Sequence, residues 1–181
     1  FRGVRPFGSR DADLFFGRRK ELDRLIAMID RPDFQLGVLF GQHGVGKTSL
    51  LQAGLSPRLE RSGFLPVYVD GRADPRAALK QAVFQISASP PKGEEDPVDY
   101  TLRVTEKFPE GLVVMFDDLT DRLDGDGLEP LVETVSALLA AEERPVRLLF
   151  CIDSGAFHRL AEVEEGLGRA VPPDARFGLE R

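Results

Sequence analysis

The chain has a single cysteine, two histidines and no long apolar run, and its basic residues form no cluster. Each shortage excludes something. Cys151 has no partner for an internal disulfide and sits inside the apolar run Val146 to Ile152, so it reads as a core residue in a reducing, cytoplasmic setting. His43 and His158 have no second His or Cys at metal-binding spacing, which excludes a zinc site. No stretch approaches the roughly 18 apolar residues needed to cross a bilayer, and the first residues lack the apolar segment of a secretory leader. No membrane partner is therefore expected for this segment. The 24 Lys and Arg are scattered among 30 Asp and Glu, giving a net charge of -6 and a pI near 5.1, so direct nucleic-acid binding is not expected. No internal repeat is visible. With 181 residues, 42% of them apolar, the chain can build one α/β domain with a full core.

Against these absences stands one dense motif. Gly41-Gln42-His43-Gly44-Val45-Gly46-Lys47-Thr48 follows the apolar run Leu36 to Phe40 and precedes the helix-forming Ser49-Leu50-Leu51-Gln52-Ala53. Strand, glycine-rich loop and helix in that order make a phosphate cradle. Glycines let consecutive N–H groups converge on an anion, and the helix behind them aims its positive end at the same point. Lys47 is placed to reach the β- and γ-phosphates, and Thr48 to offer its hydroxyl to Mg²⁺. The candidate cofactor-binding run is Gly41, Gln42, His43, Gly44, Val45, Gly46, Lys47, Thr48 and Ser49, with Lys47 also a catalytic candidate.

Four short runs rich in Val, Leu, Ile and Phe read as buried parallel strands: Leu36 to Phe40, Leu65 to Val69, Leu112 to Phe116 and Val146 to Ile152. Helical patterns lie between them at Lys47 to Arg61, Pro75 to Ser87, Tyr100 to Phe108 and Leu128 to Glu142, the last carrying Leu128, Leu131, Val132, Val135, Leu138 and Leu139 on one face. A fifth strand is expected at Ala175 to Leu179. Ser89 to Pro97, with its prolines, glycine and acids, predicts an exposed, mobile loop. Ahead of the first strand, Asp11 to Asp30 predicts a helix with Leu22, Leu25, Ile26 and Ile29 inward. The expected fold is a three-layer α/β sandwich: a parallel sheet of about five strands, helices on both faces. The extra residues 1–34 suit a flap beside a base, and 35–181 the nucleotide-binding core.

Leu112-Val113-Val114-Met115-Phe116-Asp117-Asp118 is an apolar strand ending in two carboxylates. Ligands of open parallel sheets bind at the carboxyl ends of the strands, so a strand next to the first delivers Asp117 to the metal, through a water of its hydration shell. Asp118 is the candidate base or water-orienting group, or else it caps the next turn. The acidic run Asp121 to Gly127 lacks the oxygen spacing of a calcium loop and reads as surface. Arg72 either points into the site or is solvated.

Gly3-Val4-Arg5-Pro6-Phe7, Asp11 to Arg18, the phosphate loop and Ala53-Gly54-Leu55-Ser56-Pro57-Arg58-Leu59 together resemble the novel STAND nucleotide-binding domains of bacterial signalling proteins, relatives of AAA+ ATPases. The resemblance implies that Phe16, Gly17 and Arg18 lie beside the adenine of ATP or ADP. It also implies a switch: ADP holds a closed monomer, and ATP permits self-association and activates a fused effector under control of a sensor region. The lid and winged-helix regions of such proteins are expected to lie outside this chain. Two positions depart from the family pattern. Asp118-Leu119-Thr120-Asp121 replaces a run containing Gln and two glutamates, and Asp153 stands where a phosphate-sensing arginine is common, so slow or absent hydrolysis is expected. Other readings stay open: a hydrolysing AAA+-like subunit completed by a neighbour's arginine (Arg147, Arg159, Arg169 or Arg176), a scaffold without nucleotide, or a small-molecule kinase.

Overall fold

A computed structural model describes residues 17–87, 89–123, 125–141 and 146–180. Phe16 and the motifs at residues 3–7 and 11–16 lie outside them. The chain opens with α1 (Arg19–Ile29), then β1 (Leu36–Gly41), the phosphate loop and a helical stretch: α2 (Lys47–Ser49), a π-helical turn (Leu50–Leu55) and α3 (Ser56–Arg61). Next come β2 (Leu65–Asp70), α4 (Pro75–Ser87), α5 (Pro97–Thr105), β3 (Leu112–Asp117), α6 (Leu128–Leu139), β4 (Val146–Asp153), α7 (Leu160–Leu167) and β5 (Arg176–Leu179). No helix among the described residues is long and apolar enough to cross a membrane.

The five strands form one parallel sheet in the order β2-β3-β4-β1-β5. The step from β1 to β2 runs one way across the sheet, and the three later steps run the other way. Right-handed crossovers then put α2 and α3 on one face, where α1 packs against the π turn, and α4 to α7 on the other. Burial from both sides explains why the strand sequences are nearly unbroken apolar runs: all six residues of β3 are buried. Adjacent loops leave β1 and β4 toward opposite faces, which opens a crevice between those strands at their carboxyl ends.

Three expectations need correction. The strand beside β1 is β4, so β3 and its Asp117 stand one strand further away. The helix expected at Tyr100 to Phe108 runs Pro97–Thr105 instead, because Asp96 caps Val98 N and Asp99 N and Pro97 starts the helix without needing a donor. Consequently the loop before it is tied down: Glu95 pairs with Arg103 at 2.7 Å, Lys80 Nζ donates to Glu95 O at 3.0 Å, and Arg76 pairs with Asp96 at 2.5 Å.

The stretch from Lys47 to Arg61 is helical throughout, as its period predicts, but widens in the middle. Pro57 has no N–H to donate and its ring crowds the carbonyl one turn back. The π turn accommodates it, with Ser56 N and Ser56 Oγ both donating to Leu51 O. In α1, Leu22, Leu25, Met28 and Ile29 are buried and Ile26 is partly so.

Candidate functional site

The loop after β1 is held in the shape its glycines permit. Gly44 and Gly46 have φ of +75° and +97°, a region closed to most side chains, and Gly46 leads directly into α2. A Cβ on Gly41 would lie 2.7 Å from Leu179 O and 3.0 Å from Val45 Cγ1, so the loop's root is pressed between β5 and the buried Val45. Gln42, His43 and Gly44 are exposed. Lys47 folds back over the loop and donates to Gly41 O at 2.7 Å and Gln42 O at 3.1 Å, with Asp153 Oδ2 3.6 Å from its Nζ.

Across the end of β4, Thr48 Oγ1 donates to Asp117 Oδ2 at 2.6 Å. The two residues are 69 positions apart, and the fold alone joins them. Tyr68, on β2, donates its hydroxyl to the same oxygen at 2.8 Å, and Asp118 N donates to Oδ1 at 2.9 Å. Asp117 is 2% exposed, so this carboxylate is held by hydrogen bonds rather than by solvent. Its neighbours register it: burial first, then the charge of Asp117, pushes the Tyr68 phenol far above its ordinary range, and the same two causes raise the Cys151 thiol. A hydroxyl and a carboxylate are the hard oxygens that Mg²⁺ takes. No cluster of three or more His, Cys, Asp or Glu suited to a metal occurs among the described residues.

Asp118 lies beside this pair but outside it. Its φ of +57° is the one positive value at a described non-glycine residue, and its carboxylate is solvent-facing, 3.7 Å from Arg72 Nε. Arg72 is exposed and forks onto Asp70 at 2.7 and 2.9 Å. Arg18 is a strut. It donates to Val45 O of the loop at 3.3 Å and to Glu180 O beyond β5 at 2.6 Å, and pairs with Glu21. A hollow of about 420 Å³ lies alongside, walled by Phe40, Gln42, Val45, Ser154, Leu179 and Glu180. A larger cavity between α1 and α3 includes Gly17 and Arg18 but no residue of the loop.

The four candidate arginines separate by position. Arg147 is at the amino end of β4, bonded to Glu110 O and lying over the Phe64 ring, and Arg169 bonds Gln35 just before β1. Arg176 is engaged by Glu164 and Val171 O. Arg159 alone of the four follows the carboxyl end of β4, pairing with Glu162 at 3.8 Å. Tyr68 was not a sequence candidate; its signal is a polar tip inside the apolar run of β2, two residues before the strand ends.

The family described as Novel STAND NTPase 1 matches residues 1–179. The chain belongs to that family. Its fold is that of P-loop ATPases: it is similar to the Walker-type ATPase PABY2304 of Pyrococcus abyssi, at 18% identity and TM-score 0.68, over 97% of this chain and 56% of that one. It is also similar to the Aeropyrum pernix ORC1 protein solved in complex with DNA, at 20% identity and TM-score 0.56, over 93% of this chain and 46% of that one. Cdc6p from Pyrobaculum aerophilum matches at 15% identity and TM-score 0.52, over 90% and 45%. This STAND NTPase thus spans about half the length of the solved structures it matches. No curated protein matches it.

Proposed function

We propose that this STAND NTPase binds ATP and ADP with Mg²⁺ and serves as the nucleotide switch of a larger cytoplasmic signalling protein. The observation that carries the reading is the 2.6 Å contact of Thr48 with Asp117, formed at the foot of a loop whose glycines hold the left-handed backbone of an anion cradle. In this reading the amides of Gly44 to Thr48 receive the β-phosphate, and Lys47 exchanges its two carbonyl partners for phosphate oxygens. Thr48 and Asp117 hold the cation, whose contribution is to neutralise charge on the terminal phosphates. The base settles in the hollow next to Val45 and Glu180, on the rim that Arg18 braces.

A γ-phosphate can bias a switch only through contacts present in one state and missing in the other. Self-association and the coupling to sensor and effector regions of the parent chain belong to this proposal. Turnover by the isolated segment is slow, because Asp118 is turned toward Arg72 and solvent rather than toward the Thr48–Asp117 pair. An actively hydrolysing AAA+-like subunit is the second reading, favoured by the position of Arg159 on the carboxyl-end side of the sheet. It predicts substantial turnover that Asp118→Asn abolishes.

Fluorescence titration with ATP and ADP, with Mg²⁺ and with chelator, tests the proposal. Micromolar or tighter binding by wild type, at least about tenfold weaker in Lys47→Ala, is the expected result. Equal failure of both proteins to bind either nucleotide would refute it.

A further inference from the structure

The last residue of β4 is paired in register with the first residue of the phosphate loop, Asp153 against Gly41. That pairing sets an acid beside the loop's cation. Asp153 is fixed from two directions: its N–H donates to Thr120 Oγ1 at 3.2 Å, and its Oδ1 accepts from Gly155 N at 2.9 Å, which caps the helical turn Ser154–Arg159. Oδ2 is left over. It is sealed from solvent, accepts no hydrogen bond from the described residues, and faces Lys47 Nζ at 3.6 Å. A buried carboxylate oxygen without a donor is costly unless a charge stands nearby, and Lys47 is that charge.

We propose that Asp153 is a specificity-determining residue that tilts this site toward a nucleoside diphosphate and against a triphosphate. The inference rests on the ATP and ADP reading above. Any phosphate that takes Lys47 competes with Asp153 for it, which weakens both nucleotides. The γ-phosphate meets a second penalty. An oxygen accepting from Nζ at about 2.9 Å lies within about 6.5 Å of Oδ2, because Oδ2 is itself 3.6 Å from Nζ. At an effective dielectric of about 20 to 40, a pair of like unit charges at that distance shifts an equilibrium by about tenfold to a hundredfold. The cap geometry opposes swinging the carboxylate away, since turning it releases Gly155 N, while the backbone beneath it stays fixed by Thr120. A triphosphate is therefore held well only when something else neutralises or displaces this acid.

The test is to titrate wild type, Asp153→Asn and Asp153→Ser with ATP and with ADP at matched Mg²⁺. Both substitutions keep an oxygen for Gly155 N and remove the charge. The expected result is an ATP-to-ADP affinity ratio raised by about tenfold in both variants, with a smaller gain for ADP alone. Because the two nucleotides are measured on one preparation, a reduced folded fraction cancels from the ratio, and Ser serves if Asn does not fold. A ratio within about twofold of wild type in both variants overturns the role of Asp153 while leaving nucleotide binding intact. Failure of wild type to bind either nucleotide overturns both.

Discussion

Gly71, a residue without any chemistry of its own, offers the sharpest test of how the site is built. Its N–H donates to Asp117 O at 2.6 Å, and a Cβ there would lie 2.5 Å from that same oxygen and 2.8 Å from Leu119 Cδ2. The obstacle is backbone locked in the β2–β3 pairing, where Asp70 faces Asp117, so it has little room to retreat. Gly71→Ala should therefore cost about 2 kcal/mol, as overpacking of a close approach does, and lower the melting temperature by roughly 4–8 °C in a chain of this size. The displacement falls on Asp117 itself. Opening its contact with Thr48 by a few tenths of an ångström should weaken Mg²⁺-dependent nucleotide binding severalfold and leave Mg²⁺-free binding unchanged. Gly93→Ala is the control: its φ is +58° with nothing within 4 Å, so the same methyl costs about 1 kcal/mol in backbone strain far from the site. Thermal unfolding by circular dichroism and titration with and without Mg²⁺ measure both effects. Wild-type melting and wild-type Mg²⁺ dependence in Gly71→Ala would refute the reasoning.

Two further perturbations follow from named contacts. Tyr68→Phe removes one of the two hydroxyl donors on Asp117 Oδ2; a hydrogen bond to a charged group is worth about 1.5–3 kcal/mol, so the ratio of nucleotide affinity with Mg²⁺ to that without should fall about tenfold to a hundredfold, and an unchanged ratio would exclude Tyr68 as a positioning residue. Glu95 is held at about 2, below its ordinary 4.5, by hydrogen bonds from Arg103 first and from the Lys92 backbone. A depressed carboxylate stabilises only where it is ionised in both states, so its contribution is complete above about 4.5 and is lost as pH falls from there toward 2. Protection of the amides in residues 89–96, relative to the free-peptide rate at each pH, should fall across that window in wild type, and Arg103→Ala should already show little protection at pH 6.

What the sequence made legible was whatever depends on neighbours along the chain. The strands announced themselves as apolar runs because both faces of a parallel sheet are buried, and the cradle announced itself because Gly44 and Gly46 are needed where φ is positive. The pairing of Thr48 with Asp117 was also accessible, since each ends or begins an element at the same edge of the sheet. What escaped was order across the sheet. Nothing in the run Val146 to Ile152 says that it inserts between β1 and β3, and that insertion is what brings Asp153 to Lys47, while the pairing of β2 with β3 brings Tyr68 to Asp117. The start of α5 was readable and misassigned: Asp96-Pro97 is a cap followed by a first-turn proline, outweighed by the prolines and acids before it. The π turn follows from Pro57 only once the helix is known to continue past it.

Arg18 joins three places with one side chain: the start of α1, the carbonyl of Val45 and that of Glu180. The start of α1 and the residue after β5 are thus fastened to the phosphate loop by one side chain. A displacement of α1 or of the end of β5 is therefore felt at Val45 in the loop, and a change in the loop is felt at both elements, without any signal having to cross the sheet.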